Sequence, residues 1–316
     1  MLKPIRLVPP GTKIPFVANR RIAFIFSLIL VLGSLFGFFT QGLNFGIDFR
    51  GGILMEVRTS GPADIQGIRS TLSELGLGDV SIQEFGVETD VLVRIQRQDG
   101  EEREQLVAIE AVKSALGSDV EYRRTEFVGP TVGEELKEAG ALAVGLALLS
   151  ILLYIWFRFE WQFGVGAIVA LSHDIITTIG LFALIQHEFN LATVAAVLTI
   201  AGYSINDTVV VYDRVRENLR KYKRMDLAEV FNMSVNETLS RTTMTSVTTL
   251  LALLAIYFFG GEVLADFALA MIWGVCIGTY SSVFIAVPIL LYVNLKRGEE
   301  DPTGISVPQD ERIEDS

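Results

Sequence analysis

Six long apolar runs dominate this chain and leave it little freedom in how to fold. They are Ile22–Phe39, Ala139–Trp156, Phe163–Leu184, Leu191–Val211, Thr242–Phe259 and Phe267–Tyr292. Each approaches or exceeds the ~20 residues that a helix needs to cross the hydrocarbon core of a bilayer. Lipid offers no hydrogen bonds to a bare backbone, so each run must be helical. Hydrophobic residues make up 50% of the 316 positions, and that excess over an ordinary soluble domain points the same way. Six such runs exclude a soluble protein with buried core helices.

Charge sets the expected orientation. The net charge is −11, but its distribution says more than its total. Residues 1–21 carry Lys3, Arg6, Lys13, Arg20 and Arg21 with no acid, and a second basic cluster, Arg214 to Arg224, follows the fourth run. Lys296 and Arg297 follow the sixth. Threading six helices puts all three clusters on one side, and the positive-inside rule makes that side cytoplasmic for both termini. Residues 40–138 then form one net-acidic domain on the opposite side. The predicted divisions are an N-terminal segment 1–21, a first helix 22–39, the outer domain 40–138, and helices two to six over 139–295. A basic loop 213–241 interrupts those helices, and an acidic tail 296–316, expected to be disordered, follows them. Ile22–Phe39 is too long for an ordinary signal-peptide core and reads as an uncleaved anchor. The single cysteine, Cys276, lies in the sixth run, so no intrachain disulfide can form.

The outer segment has the rhythm of a folded domain. Ile53–Arg58, Val80–Glu84, Val91–Ile95 and Val120–Val128 read as strands, with Glu88 and Asp90 in the turn between the middle two. Pro62–Leu75 and Glu101–Leu116 have helical spacing. The order βαββαβ predicts a small ferredoxin-like α/β sandwich. In the basic loop, Met225–Glu237 fits either a surface helix or a solvated connector.

Enzyme signatures are missing. No phosphate-binding G-x-x-x-x-G-K-[ST] loop occurs. The two histidines, His173 and His187, belong to no cluster with metal spacing. His173 and Asp174 are adjacent on a helix and are expected to point in different directions, which argues against a Ser-His-Asp site. The basic loop lacks the interleaved aromatics of a nucleic-acid surface. The chain is expected to be neither an enzyme nor a nucleic-acid binder, and to need no cofactor or metal.

Polar residues inside the helices stand out instead. Asp207 sits in the fourth run, roughly 9 Å inside its cytoplasmic end as judged from Asp213. Tyr203 and Ser204 lie one turn back, and Asn206 is adjacent. Arg241 opens the fifth run, with Thr245 one turn on. A charge at the bilayer centre costs about 2.5–3.5 kcal/mol on insertion scales, so such groups face the bundle interior or water. Consecutive antiparallel helices make Asp207 and Arg241 natural partners. Either Asp207 exchanges protons under the influence of Arg241, or the pair simply locks two helices. His173 and Asp174 are weaker candidates, and an interhelical polar cluster with Thr177 and Thr178 accounts for them. Gly274, Gly278 and Ser281 mark a close-packing face on the sixth helix, and Pro288 predicts a kink.

Six ordered motifs carry a resemblance. They are Leu43–Gly52 (L-N-F-G-I-D-F-R-G-G), Val128–Leu136 (V-G-P-T-V-G-E-E-L), Tyr154–Trp161, Ser172–Asp174, Ala201–Arg214 (A-G-Y-S-I-N-D-T-V-V-V-Y-D-R) and Asn236–Thr242. Together they resemble the SecF branch of the SecD/SecF translocase family, over roughly residues 20–295. Tyr212 and Val215 depart conservatively from its usual Phe and Ile, and Ser172 replaces its usual Leu while leaving His173 and Asp174 in place. The resemblance implies an RND-like half-bundle in the bacterial inner membrane, paired with SecD and associated with the SecYEG channel. YajC and YidC are further implied partners. It also implies that the proton-motive force helps to pull preproteins out, with protons as the coupling ion and with Asp207 and Arg241 at the positions implicated in proton transport. The rival expectation is half of an RND-like proton-coupled small-solute exporter. A non-catalytic membrane scaffold is the third.

Overall fold

A computed structural model of the chain describes residues 8–9, 12–78, 80–85, 87–100, 102–117 and 119–293. The acidic tail and the first basic residues lie outside these. Helix α1 (Arg20–Gln41) leads through strand β1 (Asn44–Phe45) and a single turn α2 (Ile47–Arg50) into a soluble domain. That domain runs β2 (Gly52–Thr59), α3 (Ile65–Ser73), β3 (Val80–Phe85), β4 (Val87–Ile95), α4 (Glu102–Leu116) and β5 (Val120–Val128). The chain then returns as α5 (Pro130–Arg158), α6 (Trp161–Ile185), β6 (Glu188–Phe189), α7 (Leu191–Lys221), α8 (Leu227–Phe259) and α9 (Glu262–Ser281). A π-helical turn (Ser282–Ala286) and a last short helix α10 (Val287–Ile289) complete it. Among the described residues, six helices are long and apolar enough to cross a membrane.

The expected βαββαβ order is present. Its four strands lie in the order β3-β4-β2-β5, each neighbouring pair antiparallel, which is the split arrangement of a ferredoxin-like sheet. Period-two alternation sends Ile53, Met55 and Val57 of β2 to one face, where Leu72 of α3 and Val112 of α4 cover them. All five are completely buried. One expectation fails: Glu88 and Asp90 lie within β4, not in a turn. Asp90 sits opposite Arg58 of β2, and a bidentate ion pair holds it there, at 2.6 and 2.7 Å.

The domain is tied to the membrane helices at its base. Gly51 and Gly52 take φ of +72° and +124°, and a Cβ on Gly52 would stand 2.7 Å from the Ile95 carbonyl. Only glycine allows the chain to turn from α2 into β2 there. Below this turn β1 pairs in parallel with β6 in a separate two-stranded sheet, which ties the loop between α6 and α7 to the segment that enters the domain. Asp48 accepts the Leu191 N–H at 2.9 Å, and Arg94 of β4 forms an ion pair with Glu188.

The opposite end of the bundle departs from expectation. Residues 213–241 are not a loop: α7 runs on to Lys221 and α8 begins at Leu227, so the basic segment is a tight helical hairpin. Asp226 caps α8 by accepting the Ala228 N–H at 2.9 Å. Arg214 bonds Glu237 at 2.6 Å and Asn218 bonds Ser234 at 3.0 Å, clamping the two helices together. Hydropathy reads where a chain crosses lipid, and a helix need not stop there. Just before Pro288, where a kink is expected, the helix takes a π-helical turn.

Candidate functional site

The site is assembled where α6, α7 and α9 meet in the bundle. Asn190 starts α7 with a capping box, its side chain accepting the Thr193 N–H at 3.0 Å. Farther along α7, small residues of α9 let the two backbones approach. A Cβ on Gly274 would stand 2.2 Å from Ile200, and one on Gly278 would stand 3.1 Å from Ser204. That approach, with the wider π-helical turn after it, brings consecutive serines Ser281 and Ser282 against α7 and α6.

Asp174 is completely buried. Its Oδ2 accepts Ser204 Oγ at 2.6 Å and Ser281 Oγ at 2.7 Å. His173 Nδ1 lies 3.0 Å from its Oδ1, so the two neighbours do meet, contrary to expectation. Flexible side chains of adjacent residues can fold towards each other even where their Cα–Cβ directions diverge. Thr177 and Thr178 serve the Asp174 backbone carbonyl, at 3.1 and 2.7 Å, and not its carboxylate. The serines from α7 and α9 do that work. Beside His173, Tyr280 donates to the Ala23 carbonyl at 2.8 Å and accepts from Ser27 at 2.9 Å, which ties α9 to α1.

Asp207 lies between two of these contacts on α7. Ser204, one turn before it, holds Asp174, and Thr208, next to it, is 2.9 Å from Ser282. Asp207 itself is 4% exposed, yet among the described residues nothing hydrogen-bonds or ion-pairs with its carboxylate, and Oδ2 is buried. Tyr203 and Thr242 likewise keep buried hydroxyls without a protein partner. Asn206 is exposed, on a different face of α7 from Asp207.

Arg241 is not the ion-pair partner of Asp207. It is exposed on α8, and its charge acts on Asp207 only through space. The Arg214–Glu237 clamp explains the offset. It sets an antiparallel register in which Arg241 lies near the level of Val210, about one turn (~5 Å) from Asp207. Thr245 turns its hydroxyl back to the Arg241 and Thr242 carbonyls, at 3.0 and 2.9 Å. The buried face of α8 instead carries a stripe of Ser234, Thr238, Thr242 and Ser246, beside Val230, Phe231, Val235 and Leu253. That stripe is legible in the sequence as hydroxyl residues every fourth position. Ser246 reaches Thr279 of α9 at 2.7 Å.

Comparison with known proteins fixes the family. The family described as protein export membrane protein SecD/SecF, C-terminal, matches residues 108–296, and the SecD/SecF GG motif matches residues 36–63. The chain belongs to the SecD/SecF family. It is 47% identical to the protein translocase subunit SecF of Rickettsia rickettsii over 298 residues, which is 93% of this chain and 96% of that protein. Against the SecF of Rickettsia bellii the identity is 46%, over 93% and 98%. The crystal structure of SecDF, a translocon-associated membrane protein from Thermus thermophilus, superposes with a TM-score of 0.81 at 38% identity. The match covers 92% of this chain, which spans 39% of that SecDF chain. SecDF in its super-membrane-facing form gives a TM-score of 0.67 at 37% identity, over 92% of this chain and 40% of that one. The GG motif contains the Gly51–Gly52 turn whose backbone excludes any larger residue.

Proposed function

We propose that this chain works as the SecF half of a SecD–SecF complex that uses the proton-motive force to promote preprotein export across the bacterial inner membrane. The observation that carries this reading is Asp207, a carboxylate buried within a membrane helix with no partner among the described residues. A residue kept only to lock helices would be paired, because an orphaned buried polar group costs about 1–3 kcal/mol. An unpaired acid can take and release a proton as its surroundings change. A charge crossing 100 mV of membrane potential gains about 2.3 kcal/mol, enough to bias a motion that is otherwise reversible.

Orientation follows from the basic flanks, with both termini cytoplasmic and the α/β domain periplasmic. Asn206 and Arg241, exposed on this chain alone, support SecD as a covering partner, since a lipid-facing arginine is costly. SecYEG supplies the channel and the preprotein is the cargo, with YajC and YidC as accessory partners. Protons are the coupling ion and no other cofactor enters. Asp207 is the proton carrier. Arg241 acts on it at a distance, and Tyr203 and Ser204 shape its surroundings.

The test is complementation of a SecF-depleted bacterium with this chain or with Asp207→Asn, reading accumulation of uncleaved precursor. Membrane level and SecD co-purification are followed alongside. The unaltered chain clears precursor and the variant does not, although both assemble. Equal clearance would leave the export role standing and remove Asp207 from the drive.

A further inference from the structure

The buried pair His173–Asp174 is not accounted for by packing alone. A cluster that served only to join α6, α7 and α9 would close all its polar atoms, as buried polar groups generally do. The Asp174 carboxylate is closed, with one hydroxyl from α7, one from α9 and the His173 ring at 3.0 Å. His173 is only 5% exposed, yet its Nε2 has no partner among the described residues. The one open atom is therefore a ring nitrogen on the side-chain type whose charge changes near neutral pH.

Charge counting says what such a pair can hold. With neutral imidazole and ionised carboxylate it is a lone anion in a low-dielectric bundle, which is costly. One added proton makes it neutral overall, on either partner, and Nε2 is the open position through which that proton can be gained or lost. We propose that His173 and Asp174 form a second proton-holding site, electrostatically coupled to Asp207. The link is Ser204: it holds Asp174 and stands one helical turn from Asp207, a spacing of about 5–6 Å between Cβ atoms. Of the helices packed on α6, α1 carries charge only at its Arg20 end, and α5 only near its ends. The π-helical turn carries none. Within two helical turns of Ser281 the titratable groups of α9 are Cys276 and Tyr280, and within two turns of Ser204 those of α7 are Tyr203 and Asp207. Asp207 is the one carboxylate among these.

The coupling rests on the proton role proposed for Asp207, but its test needs no export. The chain has two histidines, so His187→Gln leaves His173 as the sole imidazole. The full-length variant, purified through a tag free of histidine, is reconstituted in lipid vesicles with ¹⁵N-labelled imidazole. Its ring signals are followed by NMR between about pH 5 and about pH 8. Any proton gained or lost by the pair alters those signals, because the ring is one of the two partners. The expected result is a titration whose midpoint falls by about 1 pH unit when Asp207→Asn removes the neighbouring anion. Signals fixed across the range in both proteins would make the pair a structural tie. A titration with the same midpoint in both would break the coupling. Neither result touches the precursor assay, and intact export in Asp207→Asn would strike the carrier role alone.

Discussion

In the soluble domain the Asp90 carboxylate receives Arg58 at 2.6 and 2.7 Å and Arg123 at 3.2 Å, while in the membrane bundle Asp207 receives nothing from the described residues. The two are almost equally buried, at 5% and 4% exposed. Burial therefore does not distinguish these two acids. Partnership does. The Arg58 hydrogen bonds hold the Asp90 carboxyl below the usual carboxylate range, against the opposing effect of burial. Such a group keeps its charge throughout physiological pH and contributes only to the fold. The same division runs through the whole molecule. Among the described residues, Arg94 of the soluble domain has one buried polar atom without a partner, whereas Gln162, His173, Tyr203, Asp207, Thr242 and Trp273 all lie on membrane helices.

The sharpest way to break this contrast is to neutralise both acids. Asp207→Asn is expected to abolish proton-dependent clearance of precursor, while Asp90→Asn leaves clearance intact at equal membrane level. Loss of clearance in both variants would mean that partnership is no guide to function. A smaller effect separates the two regions as folding units. Leu72 is completely buried in the soluble domain, and Leu72→Ala should cost it about 2–5 kcal/mol. Hydrogen exchange should then speed up at β2 and β4 and stay unchanged in α6. Acceleration in α6 would show one cooperative unit.

Smaller again is the acid dependence. Because the Asp90 carboxyl is lowered in the folded state, its contribution is fully present above the unfolded value of about 3.9 and disappears as pH falls through the lower folded value. Protection of β2 and β4 against exchange should therefore be flat near neutrality and decline only below about pH 4. Asp90→Asn should flatten that decline. The smallest effect belongs to the serines. Ser281→Ala removes one of the two hydroxyls on Asp174 and should lower thermal stability in detergent by only ~0.6 kcal/mol, the average for such bonds between membrane helices.

Local chemistry was enough to place much of this molecule. Runs of apolar residues located every membrane helix, because lipid leaves the backbone no alternative. Alternation and helical spacing gave the βαββαβ order, since the core of the soluble domain is built from those same periodicities. Asp207 was visible as an acid in an apolar run. Three things were beyond the sequence. α7 and α8 extend well past their apolar runs, because the Asp226 cap and the Arg214–Glu237 clamp continue them outside the lipid. The same clamp sets the register that parts Arg241 from Asp207. Ser204 and Ser281 converge on Asp174 from positions 30 and 107 residues away, through rotations fixed by Gly274 and Gly278 against α7. Composition and spacing thus determined which segments are helices and which residues are costly in lipid. How each helix is turned and shifted against its neighbours decides which of those residues are paired, and only the packed structure contains that.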